Sequence, residues 1–125
     1  MDVTVVSFGY LHAPAPDAHL TVDLRHHFRD PHVAPELRHL TAHDQPVRDA
    51  VYGTPGIRAL IEALAGATVA FTRGPSASPV RVAVGCAGGR HRAATVAMGL
   101  QLALADKGIE ATVQHRDLHQ PVINR

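Results

Sequence analysis

A strand, a glycine-rich loop, a helix and a second strand follow one another in the C-terminal half, and this order constrains the fold more than any other feature. The apolar run at residues 80–84 predicts a buried strand, and the segment GCAGGRHRA at 85–93 follows it. No further charge appears before Asp106, so a buried helix is predicted, which Gly108 ends. Alternating apolar and polar residues at 109–114 predict the next strand. This order predicts a right-handed crossover between parallel strands.

The N-terminal half predicts two more strands and two more helices. Residues 3–6 are an apolar, β-branched run, and residues 20–25 alternate between apolar and polar side chains. A short helix is predicted from its N-cap Asp44 to Gly53, and a second helix over residues 56–67, where apolar residues recur on one face. The predicted fold class is therefore α/β, a small and mostly parallel sheet of about four strands with helices on both faces.

The length of 125 residues predicts a single domain, which we place at residues 1–118 with a C-terminal tail at 119–125. Residues 26–43 hold five histidines and two prolines with little periodicity, and they predict a long ordered loop. Loops of that length in compact domains are usually functional.

Composition limits the classes of function. The net charge of +1 does not predict a nucleic-acid binder, and Cys86 is the only cysteine, so an intramolecular disulfide is excluded. The ten histidines are not accompanied by a C-x-x-C pair, and we predict neither a metal site nor a cofactor. There is no 18-residue apolar run or signal peptide, so we expect a soluble, cytoplasmic protein without a membrane partner.

Polar residues follow each predicted strand. If the strands are parallel, residues 7–8, 25–26, 85–86 and 115–117 meet at one edge of the sheet, where ligands of α/β proteins bind. The loop at 85–93 has the composition of an anion site, because its glycines permit close backbone approach and its amides precede a helix. Arginine side chains in the loop add charge. The Walker A pattern is absent, so ATP hydrolysis is not predicted.

The same loop satisfies the C-x5-R spacing of cysteine-dependent phosphatases, with Cys86 as nucleophile and Arg92 as phosphate ligand. Such enzymes usually carry His before the cysteine and Ser or Thr after the arginine, where this chain has Gly85 and Ala93. A phosphatase is therefore kept as an alternative, and no catalytic residue is predicted.

The segment HRDL at 115–118 imitates a kinase catalytic loop, but the chain is too short for a kinase. We expect Arg116 and Asp117 to line the same pocket, with Asp117 orienting an arginine.

Five collinear motifs resemble the C-terminal domain of the RNase adapter protein RapZ and its relatives over residues 3–118. They are SFGY at 7–10, VDLRHHFRDPHVAPELR at 22–38, T-x-x-D at 41–44, GCAGGRHRA at 85–93 and HRDL at 115–118. The resemblance implies a fold akin to part of phosphofructokinase and a pocket for a phosphorylated sugar, glucosamine 6-phosphate in the best-known members. It also implies an oligomer and an adapter role that presents a small regulatory RNA to a ribonuclease.

Carried over by motif, the resemblance implies that Arg92 and the loop amides hold the phosphate. Asp23 then suits an amino or hydroxyl group, and His32 closes over the ligand. The full set of predicted ligand-binding residues is Asp23, Arg25, His32, Cys86, Ala87, Gly88, Gly89, Arg90, His91, Arg92 and Arg116.

The sequence departs from the family at several points. Ala87 and Ala93 stand where the family has hydroxyl side chains, and Asp30 replaces the asparagine of an N-P pair. The Walker motifs of the family's kinase-like N-terminal half are not found in this sequence. We predict non-catalytic binding of a phosphorylated sugar or sugar nucleotide in a regulatory role. The alternatives are the phosphatase, an RNA-binding module that uses the arginines of residues 25–48, and a protein-binding scaffold.

Overall fold

A computed structural model describes residues 2–76 and 78–125 and contains one four-stranded sheet. The strands lie in the order β2-β3-β1-β4, and every neighbouring pair is parallel. They are β1 at Val3–Gly9, β2 at Leu20–Asp23, β3 at Val80–Cys86 and β4 at Ala111–His115. The predicted α/β fold class and all four predicted strands are confirmed.

Three α-helices connect the strands, together with a short 3-10 helix at Pro31–Val33 inside the long loop. The α-helices are α1 at Gln45–Tyr52, α2 at Ile57–Thr72 and α3 at Arg92–Asp106. Helix α2 runs past the predicted end at residue 67, because Thr68 is buried and Val69 packs against the core. The Thr68 hydroxyl is satisfied inside the helix, where it donates to the carbonyl of Leu64 at 2.7 Å.

The prediction placed helices on both faces of the sheet. In the structure, all three α-helices pack on one face. They share a single core with Val3, Val5 and Val82, whose side chains point to that face. Both helical connections, β2 to β3 and β3 to β4, run in the same direction along the sheet, and right-handed crossovers then place their helices on the same side. On the opposite face, Phe8 is fully buried and packs against Tyr10 of the β1–β2 connection.

The parallel register brings the carboxyl ends of the strands together. Gly9 pairs with Cys86, Asp23 with Gly85 and Ser7 with His115. The predicted convergence of polar residues at this edge of the sheet is therefore confirmed. None of the helices in the described ranges combines the length and apolar character needed to cross a bilayer.

Candidate functional site

The loop between β3 and α3 lies directly against the end of β1. Gly89 has a φ of 78°, which favours glycine, and a Cβ on it would lie 2.8 Å from the amide nitrogen of Gly9. A Cβ on Gly9 would in turn lie 2.6 Å from the carbonyl oxygen of Gly88. The two backbones therefore approach so closely that neither side tolerates a side chain.

Asp117, which follows β4, stabilises this contact between the loop and β1. The residue is 3% exposed, and its carboxylate accepts a hydrogen bond from the Gly9 amide at 2.7 Å. It also accepts from Nε and Nη2 of Arg116, at 3.0 and 2.8 Å, so the predicted orientation of an arginine by Asp117 is confirmed. The Arg116 guanidinium donates onward to the carbonyls of Ala13 and Pro14, which ties it to the β1–β2 connection.

Several amides of the loop carry no internal hydrogen bond. Within the part of the chain that the structure describes, Gly88, Arg90, His91 and Arg92 donate their backbone N–H to no protein acceptor. Consecutive N–H groups of this kind, at the start of a helix, form a concave site for an anion.

The sulfur of Cys86 lies at the base of the loop. It accepts hydrogen bonds from the amides of Gly89, at 3.3 Å, and Ala93, at 3.4 Å. Those two amides are therefore engaged by the sulfur and are not available to a ligand in this arrangement.

Arg92, the predicted phosphate ligand, is almost fully buried at 2% exposure. Its Nη1 donates to the carbonyls of Leu24 and Arg25, at 2.8 and 3.1 Å, and its Nη2 lies 3.2 Å from a carboxylate oxygen of Asp30. In this structure the Arg92 guanidinium therefore connects α3 to the segment that follows β2.

A small cavity lies beside the loop, with a volume of about 10 Å³. Its walls come from three parts of the chain: the loop residues Cys86, Gly88, Arg90 and His91, the preceding residues Asp30, His32 and Arg38, and the terminal residues Pro121, Val122, Ile123 and Arg125. Asp30 is the only acidic side chain among these lining residues, which include three arginines, so the cavity favours an anion.

The predicted ligand-binding residues divide between this cavity and its surroundings. The cavity wall includes His32, Cys86, Gly88, Arg90 and His91. The other six lie elsewhere around the strand ends and are Asp23, Arg25, Ala87, Gly89, Arg92 and Arg116.

Asp23 and Arg25 pair with each other at the outer edge of the sheet. Arg25 Nη2 lies 2.7 Å from Asp23 Oδ2, and both side chains are more than one-third exposed. The guanidinium also stacks on the ring of Tyr10, with its central carbon 3.8 Å from the ring centroid.

Two parts of the cavity wall were not found by sequence reasoning, namely Arg38 and residues 121–125. Arg38 donates its Nε to the carbonyl of His32 at 2.9 Å. The apolar run Pro121-Val122-Ile123 in an otherwise polar ending is the signal that predicts packing there.

The electrostatic environment keeps the cavity residues in defined protonation states. Burial acts to raise the pKa of Asp30, but the hydrogen bond from Arg125 and the charge of Arg92 outweigh it and hold the pKa below its ordinary value. Burial lowers the pKa of His91 despite the hydrogen bond between its Nε2 and the carbonyl of Leu40. Near neutral pH, Asp30 is therefore charged and His91 neutral.

Comparison with known proteins decides the family. The sequence pattern described as the RapZ C-terminal domain matches residues 1–119. The chain belongs to the RapZ C-terminal domain family. This membership confirms the resemblance seen in the sequence motifs.

Curated relatives of the RapZ C-terminal domain are named nucleotide-binding proteins. One from Thermobifida fusca is 42% identical over 119 residues, which are 91% of this chain and 40% of the relative. The relative from Streptomyces griseus is 38% identical, and the match covers 92% of this chain and 35% of the relative. The relative from Heliobacterium modesticaldum is 35% identical, and the match covers 93% of this chain and 39% of the relative. The chain thus spans about two-fifths of the length of these relatives.

The phosphatase alternative depends on Cys86 and on an acid near it. Cys86 is buried, and Asp30 is the one acidic side chain of the cavity wall. The lowered pKa of Asp30 disfavours its protonated form, so Asp30 is poorly suited to give a proton to a leaving group.

A second group of titratable side chains lies at the end of β4. His115 Nδ1 is 2.6 Å from the Ser7 hydroxyl, and the His43 ring lies 6.0 Å from His115 and 6.3 Å from His119. His115 and His119 are four residues apart, so an H-x-x-x-H spacing is present in this group. No cluster of His, Cys, Asp or Glu in residues 2–76 and 78–125 has the arrangement of a metal site.

We predict that the protein loses stability as the pH falls below about 6.5, the ordinary pKa of histidine. Burial lowers the pKa of His32, His91 and His115, so the unfolded chain binds protons on them at a higher pH than the folded protein does. Urea denaturation between about pH 7.5 and 5 measures the effect. His91→Gln should flatten the dependence, and His26→Gln, at an exposed position, should not. A stability that is constant over this range would contradict the prediction.

Proposed function

We propose that this RapZ C-terminal domain binds a phosphorylated amino sugar, such as glucosamine 6-phosphate, without transforming it, and that binding serves a regulatory role. The observation that carries the proposal is the row of loop amides at Gly88, Arg90, His91 and Arg92 without protein acceptors in the described part of the chain. These amides begin α3, so the helix dipole adds to their attraction for a phosphate.

Arg38 supplies the side-chain contact that we assign to the phosphate. Its Nε is fixed by the carbonyl of His32, and among the described residues its two terminal nitrogens have no hydrogen-bond partner. An oriented guanidinium with two free nitrogens is suited to two phosphate oxygens. In this proposal Arg38 takes the role that the sequence suggested for Arg92, and Arg92 holds the site together.

The choice of an amino sugar rests on the family resemblance. The departures from the family weaken the phosphate contacts, because Ala87 and Ala93 have no hydroxyl groups and each missing hydrogen bond is worth about 1 kcal/mol. The name of the relatives makes a nucleotide the competing ligand class. A nucleotide and a phosphorylated amino sugar both carry a phosphate, so the binding experiment compares these two classes of ligand.

The regulatory role is taken from the family resemblance. This chain matches about 40% of the length of its relative from Thermobifida fusca. We propose that the domain reports ligand concentration to partners, which in this family's pattern are RNA and a ribonuclease, and that it assembles with further copies of itself. A single free cysteine suits the reducing cytoplasm for this role.

Titration calorimetry with glucosamine 6-phosphate, glucosamine, inorganic phosphate and AMP tests the proposal. We expect saturable binding of glucosamine 6-phosphate, weaker binding of phosphate and none of glucosamine, because the loop recognises the phosphate. Arg38→Gln should weaken glucosamine 6-phosphate binding at least about tenfold, since it removes a charge-assisted contact.

The matched control is Arg81→Gln, which makes the same change of charge at an exposed position on β3. It should leave the affinity unchanged. Equal loss in the two variants would mean that only the overall charge matters. Binding of AMP but not of the sugar phosphate would replace the amino sugar with a nucleotide.

A further inference from the structure

A segment that follows β4 forms one wall of the cavity of the candidate site. Residues 120–125, which we call the strap, contain no helix or strand, and four of them line the cavity. Arg125 Nη1 donates to Asp30 Oδ2 at 2.6 Å, and Arg90 Nη1 donates to the carbonyl of Gln120 at 2.9 Å. The strap is therefore held at both of its ends.

The space under the strap is too small for a metabolite. A cavity of about 10 Å³ holds at most about one water molecule. Sites for small-molecule ligands have volumes of about 300–1,000 Å³. A sugar phosphate therefore reaches the cavity side of the loop only after the strap has moved.

The ion pair that holds the strap is sensitive to an anionic ligand. Asp30 offers a carboxylate to Arg125 and to Arg92, both of which would also be attracted to a phosphate. The Asp30 and Arg125 side chains are 19% and 27% exposed, so water and small ions reach the pair. An approaching phosphate can thus repel the Asp30 carboxylate and weaken its ion pair with Arg125, which releases the strap.

We propose that the strap is a lid, that the Asp30–Arg125 ion pair holds it closed, and that a phosphorylated ligand occupies the site with the lid displaced. This inference rests on the proposed function, because the ligand is the one assigned above. The closed lid lowers the apparent affinity by the fraction of molecules that are open. Ligand binding in turn displaces residues 120–125. A regulatory partner can then distinguish the bound from the free protein by the position of the strap.

The rate of Cys86 alkylation by iodoacetamide measures lid opening without any ligand. Cys86 is the only cysteine of the chain, it is 2% exposed, and it lines the cavity beneath the strap. We expect Arg125→Gln to alkylate about tenfold faster than the natural sequence, because the open fraction rises when the ion pair is removed. Arg81→Gln, with the same change of charge away from the strap, should alkylate at the original rate.

Urea denaturation of the same variants separates lid opening from unfolding. Arg125→Gln should keep the unfolding midpoint of the natural sequence, so that faster alkylation reports a local movement. Calorimetry of Arg125→Gln should then show tighter binding of glucosamine 6-phosphate, because fewer molecules are closed. Weaker binding would show that Arg125 holds the ligand and does not latch the lid, which would overturn the proposal.

The outcomes distinguish the lid from the ligand assignment. Equal alkylation rates in Arg125→Gln and the natural sequence would overturn the lid, whatever binds to the loop. Faster alkylation of Arg125→Gln at an unchanged unfolding midpoint supports the lid. If no variant then bound phosphate or glucosamine 6-phosphate, the lid would stand and the proposed function would fail.

Discussion

Gly9→Ala should destabilise the protein by about 3 kcal/mol or more, whereas Gly88→Ala should leave its stability unchanged or slightly raised. A Cβ at residue 9 would lie 2.6 Å from the carbonyl oxygen of Gly88 and 2.8 Å from the amide nitrogen of Gly89. Both are backbone atoms of the loop and cannot rotate away as a side chain does. The substitution therefore has to displace the loop from the end of β1.

Gly88→Ala is the matched control because it makes the same chemical change at a residue that lies against Gly9. A Cβ on Gly88 meets no described atom within 4 Å, and the φ of Gly88 lies outside the left-handed region. Urea denaturation of both variants at neutral pH measures the difference. Equal stabilities would contradict the close approach of β1 and the loop.

The second large effect is expected at Asp117. Asp117→Ala should cost about 3 kcal/mol, because it leaves the Gly9 amide without its acceptor and Arg116 without its counter-ion. The loss should also loosen the loop, since the Asp117 carboxylate holds the Gly9 amide and Gly9 lies directly against Gly88 and Gly89. Ligand affinity is therefore expected to fall together with stability.

Asp23→Ala provides the comparison for Asp117→Ala. Asp23 also pairs with a neighbouring arginine, Arg25, through several short hydrogen bonds, but this pair is exposed. Exposed ion pairs contribute little to stability, so the unfolding midpoint should stay close to that of the natural sequence. Similar losses for Asp23→Ala and Asp117→Ala would show that burial does not determine the contribution of these carboxylates.

The strands and the position of the loop could be predicted from the sequence because their signals are local. The apolar run before Gly85 and the alternation over residues 109–114 each reflect a strand with a defined buried face. The parallel arrangement followed from the connection between β3 and β4. Once the strands are parallel, their carboxyl ends meet, and the polar residues there come together.

The distribution of the helices could not be predicted in the same way. It depends on the direction in which each connection runs along the sheet, and the strand order β2-β3-β1-β4 is set by long-range pairing. The β1–β2 connection contains no helix, although it covers the face with Phe8. A count of helices therefore says nothing about the face on which they pack.

The direction of long side chains was also beyond the sequence. Arg92 fits a phosphatase-like pattern, yet its guanidinium points to the carbonyls of Leu24 and Arg25. Arg125 lies 95 residues from Asp30 in the chain, so no local pattern indicates their ion pair. Such contacts depend on the tertiary fold, which brings flexible side chains to charges that are distant in sequence.

In the proposed function, the loop between β3 and α3 holds the phosphate group of the ligand. The amide resonances of Gly88, Arg90, His91 and Arg92, followed while glucosamine 6-phosphate is added, report on this contact. We predict that these four shift in a saturable manner, and that glucosamine without the phosphate leaves them in place. Saturable binding with the four resonances unmoved, or equal shifts with glucosamine, would show that the loop does not hold the phosphate.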